Sequence, residues 1–430
     1  MASFSIPLTG LQADSTALNT IANDLSNMNT TGFKSQTTDF SDLFYQQIGS
    51  TGDGDPIQVG AGVQVASNET LFNQGSINST GNSTDVALNG SGFFVVSNGQ
   101  GGNEYTRAGN FTLDSNGDLV TSNGLSVMGY PAANGVVNTN APLTAINIPV
   151  GAVEMPQATT TMNIMANLDS TTANGTGFPA QVTVYDSLGQ AHIASVTYTA
   201  QGNGLWDYSV SLPNADYPAA GAPAPITGTM QFDSNGNLQT VTPTVGAGGG
   251  TVGTPGFAPI PLNLSTAANP LADGATALSV QWNLLSSSGT PTISQVDAGS
   301  AVTATSQNGF ASGEYQSFSI GADGTVTASY SNGQQQNVGQ LALANVRNLD
   351  GLSLLGDGDY ATTRASGTAV VGTSGSGGLG TVKDEALEAS NVNISTEFSS
   401  LIVAQRAFEA NAKSVTTFDT VTQDTINMVH

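Results

Sequence analysis

The two ends of this 430-residue chain carry the same apolar period, and the residues between them do not. Near the start, Leu11, Leu18 and Leu25 recur every seven residues, with Ile21 and Met28 on the neighbouring heptad position. This spacing predicts an amphipathic helix from about Leu8 to Asn27, with Pro7 just before its first turn and Gly32 beyond its end. At the other terminus Leu387, Ile394, Leu401, Phe408, Val415 and Val429 share one heptad position, interrupted by Thr422. Ile402, Ala412, Phe418, Val421 and Ile426 widen that stripe. Asn393 or Ser395 fits the cap of this second helix, and Glu397 suits its first turn. Burying one such stripe once falls short of the entropy of ordering so long a helix, whereas packing it among several copies does not. A simple helix pair and a dimeric coiled coil remain alternatives at this level.

The middle reads as β structure. Phe111 to Val120 gives two short strands around the Asn116-Gly117 turn. The same device returns between Phe232 and Leu238, at Asp323-Gly324 and at Asn332-Gly333. Alternation is clear at Val182 and Val184 and from Ile193 to Tyr198. Stretches near 213–228 and 243–261, and Gly372 to Gly380, are rich in Gly with Pro, Ala or Ser and read as loops or linkers. The fold class is therefore mixed, mainly β: a nested multi-domain chain with paired N- and C-terminal α-helices and two β-rich domains. The expected parts are 1–33 with 387–430 (helical ends), 34–75 (extended connector), 76–149 with 303–386 (inner β domain) and 150–302 (inserted outer β domain).

Composition removes several functions. Lys plus Arg number 7 against 31 Asp plus Glu, a net charge of −24, so a nucleic-acid backbone or an anionic membrane would be repelled. Charged residues make up only 9% of the chain, against about 25% in an average globular protein, which disfavours long solvent-exposed helices in the middle. Without cysteine there is neither a disulfide framework nor a thiolate metal site. No stretch approaches the ~20 apolar residues of a membrane span, so no membrane insertion is expected. Met1 to Ser5 lacks the basic start and apolar run of a secretory signal, so any export must be independent of one.

Candidate chemistry fades on inspection. Asp114-Ser115-Asn116-Gly117-Asp118 invites a calcium loop, but Leu119 and Leu125 stand where an EF-hand needs Gly and Glu. Gly375 to Gly380 fits a dinucleotide-binding spacing by letter, yet no βαβ unit surrounds it. Histidine occurs only as His192 and His430, and His192 lies in an alternating strand where exposure is the ordinary expectation. With no cluster of carboxylates evident, no catalytic, cofactor-binding or metal residue is expected, and the chain reads as a non-enzyme. Paired acids for glycoside hydrolysis remain open in principle, since nothing singles out two of the 31.

The run Asn23 to Lys34 (NDLSNMNTTGFK) resembles the N-terminal signature of bacterial flagellar rod and hook proteins, and Ala386 to Val415 resembles their C-terminal signature. The runs from Asp85 (DVALNGSGFFVV) and Tyr105 (YTRAGNFTLDSNGDLV) are similar to that family's shared inner β domain. Two stretches, from Val184 to Ala200 with Trp206 and from Gly309 to Gln334, resemble the hook branch rather than the shorter rod proteins. Asp24, Ser26 and Asn393 depart from the usual signatures, which touches packing detail and leaves the β motifs intact.

The resemblance implies a homopolymer, helical and head to tail, whose terminal helices pair into a coiled-coil-like inner tube. It implies a curved, flexible flagellar hook, a universal joint passing motor torque from rod to filament. Export unfolded through the flagellar type III apparatus would account for the missing signal and place the product outside the cell. Further implied partners are the distal rod protein, the hook cap and the hook–filament junction proteins. Leu11, Leu18, Leu25, Leu401, Phe408, Val415 and Phe418 are the expected tube-forming positions. Asn27, Asn29, Gly32 and Phe33 are expected to shape the exit from the first helix. The alternatives are a distal rod subunit of the same family, an extracellular β-rich hydrolase and a monomeric adhesin.

Overall fold

Helix α1 spans Ser5–Ser26 and helix α2 spans Ile394–Met428 in the computed structural model, which describes residues 5–50, 56–97, 99, 102–218, 221–245 and 258–428. Pro7 falls inside the first turn of α1, where a backbone N–H has no intrahelical partner to lose. Asn393, rather than Ser395, caps α2: its Oδ1 accepts the N–H groups of Ser395 (3.0 Å) and Thr396 (3.2 Å). Val429 and His430 lie outside the described residues.

Between the helices the chain is strand and turn, as the hairpin signals predict. Asp114 Oδ1 accepts the N–H groups of Asn116 and Asp118, both at 2.8 Å, and Gly117 takes φ +84° to close the turn. Those backbone N–H groups hold the Asp114 carboxyl below its usual range. Asp233 repeats the device with Asn235 and Asn237. The Gly375 to Gly380 run links the strands Val370–Gly372 and Thr381–Asp384, so no helix follows it.

The chain divides into two units, Met1–Val150 with Ser317–Ser329 and Gln335–His430, and Gly151–Gln316 with Tyr330–Gln334. In the first, Phe93–Ser97 is a central strand buried along its whole length. It pairs with Asn103–Thr106, Ser126–Ala133 and Leu343–Asn345. Phe93, Tyr360 and Phe72 meet with ring centroids 5.5–5.7 Å apart at the core of this sheet. The described residues of 34–75 double back: Gln36–Asp42 pairs antiparallel with Val63–Thr70, and Gln46–Ser50 with Pro56–Val59.

The second unit is a two-sheet sandwich. One sheet is an antiparallel meander running through Gly177–Tyr185, Ala191–Gly202, Leu205–Ser211, Ile226–Phe232 and Leu238–Val245. The other orders Ile260–Asn263, Ser279–Asn283, Thr161–Asp169 and Ile293–Val296, with Ala301–Gln307 also on Thr161–Asp169. Trp282 of this second sheet meets Tyr198 and Tyr208 of the first edge to face, at 6.3 and 5.5 Å. Ala301–Gln307 pairs inside this unit, and the first unit resumes at Ser317.

One expectation is overturned here. His192 is only 5% exposed. Its strand, Ala191–Gly202, buries His192, Ala194, Val196 and Tyr198 and turns Ile193 outward. The inward parity set by Val196 and Tyr198 carries His192 with it.

Candidate assembly surface

The buried residues of α1 are Pro7, Gly10, Ala13, Thr20 and Asp24, four of them small or polar. From Gly10 to Asp24 their spacings of three, seven and four put them on one face. Gly10 lets α2 approach: a Cβ there would stand 2.7 Å from Asn411 Nδ2, which donates to Asp14 Oδ2 at 2.8 Å. Against the β ribbon of 36–70, Thr9 Oγ1 accepts the Val63 N–H (3.3 Å) and Thr20 Oγ1 accepts the Thr38 hydroxyl (3.0 Å). Asp24 Oδ2 accepts the Gln36 N–H at 2.8 Å.

The heptad leucines are covered only in part within the chain. Leu11, Leu18 and Leu25 stay half-buried, while Ile6, Leu8 and Met28 are exposed. None of the 35 residues of α2 is buried. Leu401, Val415 and Phe418 are half-buried and Phe408 is 37% exposed. Phe398, Ile402, Val403, Val421 and Ile426 are each at least half exposed. All seven expected apolar positions thus lie on two helices that pack together, six of them half-buried and Phe408 exposed. Apolar exposure on that scale marks a surface that another molecule covers.

The exit from α1 is built from short-range bonds. Asn27 Nδ2 donates to Asn23 O at 3.0 Å, and Asn27 Oδ1 accepts the Thr30 hydroxyl at 3.0 Å. Gly32, at φ +68°, donates its N–H to Glu388 O at 2.8 Å, and a Cβ there would meet the Arg107–Ala108 backbone at 2.7 Å. Phe33 is half-buried, with its carbonyl accepting the Asn391 N–H at 3.4 Å; Asn29 is exposed.

Just beyond the exit lies a fixed junction that periodicity does not reveal. Lys34 Nζ reaches Glu388 Oε1 at 2.7 Å and Arg107 Nη1 reaches Glu388 Oε2 at 3.2 Å, all three side chains at most 5% exposed. The Gly75 N–H also donates to Glu388 Oε1 (2.9 Å), and Lys34 also donates to Asn73 O (2.9 Å). Asn391 closes the same place, accepting from Ser35 N–H at 2.7 Å and donating to Leu71 O at 2.7 Å. Burial pushes the Lys34 ammonium below its usual range even though Glu388 opposes this. The junction fastens the roots of α1 and α2 to the same strands. Nearby, the Asp24 carboxyl is pushed up to about 6 by burial, against the opposing Gln36 N–H and with the Glu397 charge adding to the rise.

Paired helical ends that leave large apolar side chains such as Leu8, Phe398 and Val403 exposed define a class: a structural subunit that is completed by assembly. Family models place the chain within it more closely. Residues 7–34 match the flagella basal body rod protein model and 87–167 the D1 domain of flagellar hook protein FlgE/F/G. Residues 158–310 match the D2 domain of flagellar basal body protein FlaE, and 383–428 the C-terminal model of the basal body rod FlgEFG proteins. The flagellar hook protein FlgE of Salmonella typhimurium is 36% identical over 99% of this chain and 100% of its own length. That of Treponema pallidum is 33% identical over 98% of both chains. The crystal structure of Helicobacter pylori flagellar hook protein FlgE2 shares the fold, with a TM-score of 0.54 over 73% of this chain and 100% of that one, at 15% identity. The chain belongs to the flagellar hook protein FlgE family and is a structural subunit of the bacterial flagellar hook.

Proposed function

We propose that copies of this chain stack head to tail through α1 and α2 into a curved, flexible tube, a universal joint that carries motor torque between rod and filament. A heterologous contact that does not close on itself generates a helical polymer. The observation behind this reading is the apolar surface left on the helices: none of the residues of α2 is buried, and Phe398, Ile402, Val403, Phe408, Val421 and Ile426 are exposed. Leu11, Leu18, Leu25, Leu401, Phe408, Val415 and Phe418 form the tube wall, and Asn27, Asn29, Gly32 and Phe33 set the angle at which the chain leaves it. The role is mechanical and not catalytic.

In this reading the inserted β unit presents polar, hydrated surfaces that exchange partners as the tube bends. The distal rod protein lies at one end and the junction proteins at the other, with the hook cap present during growth. The flagellar type III apparatus exports the chain, so the polymer stands outside the cell. Negative-stain microscopy of the purified full-length protein after raising the salt concentration tests the reading. Curved tubes are expected. Straight rods would point to a rigid drive shaft, and single particles at high protein concentration would overturn assembly through the helices.

A further inference from the structure

Three loops of the second unit converge on His192. The hairpin Asp186–Gln190 brings Asp186 Oδ2 to 3.1 Å from His192 Nε2. The short 3-10 turn Asn214–Asp216 brings Asp216 Oδ2 to 3.0 Å from Nδ1. A third loop brings Asp273 Oδ2 to 3.8 Å from Nε2. The loops also bond to one another, since Ala272 N–H donates to Asp216 O (2.9 Å) and Thr276 N–H to Ser187 Oγ (3.0 Å).

The carboxylates are oriented before any ligand arrives. Asp186 Oδ1 is occupied by the N–H groups of Leu188 (2.8 Å) and Gln190 (2.9 Å), which leaves Oδ2 facing the ring. Asp273 Oδ1 likewise accepts the Ala275 N–H at 3.0 Å. His192 and Asp186 are buried, whereas the Asp216 and Asp273 side chains are 22% and 27% exposed, so the cluster opens to water on one side. Nδ1 of His192 and Oδ2 of Asp216 are buried and, though 3.0 Å apart, neither makes a hydrogen bond.

At 3.1 Å, His192 Nε2 and Asp186 Oδ2 can be bridged by a ring proton or by a cation, and Asp273 Oδ2 stands close by at 3.8 Å. We propose that His192 Nε2, Asp186 Oδ2 and Asp273 Oδ2 form a binding site for a first-row divalent cation of the Zn2+ type, with Asp216, whose Oδ2 lies 3.0 Å from Nδ1, as the positioning residue. Nε2 stands 3.1 and 3.8 Å from the two carboxylate oxygens, separations that zinc bonds of about 2.0–2.2 Å can bridge. One imidazole nitrogen and two carboxylates suit Zn2+ better than Ca2+ or Mg2+, which take oxygen ligands. A carboxylate on the far ring nitrogen is the usual outer partner of a metal-bound histidine. The open side leaves a fourth position for water. Bound there, the ion would tie three loops together at one end of the sandwich and stabilise the unit that carries them.

Full-length protein freed of metal with a chelator and titrated with ZnCl2 by calorimetry tests this, with Co2+ absorption as a second probe of the ligand field. One saturable equivalent is expected, accompanied by a rise in the melting temperature of the second unit. Asp273→Asn, at the exposed edge and the mildest change, should retain the fold and lose that equivalent, as should His192→Gln. Asp216→Asn should keep the site with affinity lowered on the order of 10–100-fold. Because the chain has only one other histidine, His430→Ala should bind as the parent does. Absence of a 1:1 event in the parent, or binding that survives in both Asp273→Asn and His192→Gln, overturns the proposal. NMR showing His192 protonated on both nitrogens at neutral pH despite added Zn2+ would overturn it as well, in favour of a buried imidazolium held by the three aspartates.

Discussion

Glu388 receives two cationic side chains and a backbone N–H where water has no access, and its strand precedes α2 by a few residues. Removing one partner from such a cluster leaves uncompensated charge, so Glu388→Gln should cost the first unit about 3–5 kcal/mol in urea unfolding. A loss below about 1 kcal/mol would mean that Lys34 and Arg107 find other acceptors. Asp24 yields a different kind of prediction. Its folded pKa of about 6 lies above the free value of 3.8, so the docked helix holds the proton more tightly than a released one. Stability therefore rises as pH falls from above 6, and the gain is complete below 3.8. Glu397, also raised by burial, acts in the same direction. Thermal depolymerisation of assembled tubes should move upward between about pH 7.5 and 4.5, and by less in Asp24→Asn. Equal shifts in the two proteins would show that Asp24 does not titrate in this window.

At the scale of single elements, Phe408 is exposed on α2, so Phe408→Asp should leave the circular dichroism and melting of the β units unchanged. In a tube the same carboxylate would be buried without a partner at every subunit, and assembly should fail. Normal tubes from this variant would place Phe408 outside the wall. Elements of this kind are the legible part of the sequence. Heptad spacing marks both helices, and Asn-Gly after an aspartate marks the hairpins, because each signal is local and has one geometric solution. The face by which α1 docks is harder to read, because Gly10, Ala13, Thr20 and Asp24 act through closeness and hydrogen bonds and carry no hydrophobic period. The Lys34–Glu388 pair joins residues 354 apart, and no spacing rule spans that distance. His192 was readable in part: Val196 and Tyr198 fix the inward parity of its strand. The loops that bring Asp216 and Asp273 beside it do not follow from that pattern.

For the whole molecule, the net charge of −24 sets copies against one another, so moderate salt should lower the critical concentration for assembly. A critical concentration that rises with salt would mean that specific ion pairs, and not net repulsion, govern growth. The second unit has its own core, and the segments at which it begins and ends are paired, Val153 with Glu314 and Gln157 with Phe310. Replacing residues 152–315 by a short Gly/Ser linker should therefore leave the first unit folded by calorimetry, and tubes should form without the parent's preferred curvature. Curvature equal to the parent's would show that the bend is set elsewhere. The Asn-Gly hairpins finally bear on how long such a molecule lasts. Asparagine before glycine is the peptide bond most prone to spontaneous deamidation, by attack of the glycine nitrogen on the neighbouring side chain. At Gly117, Gly236 and Gly333 that N–H is held in its turn by the carbonyl of Asp114, Asp233 or Tyr330, at 3.0–3.1 Å. The turns that give the β units their shape thus also slow their chemical ageing.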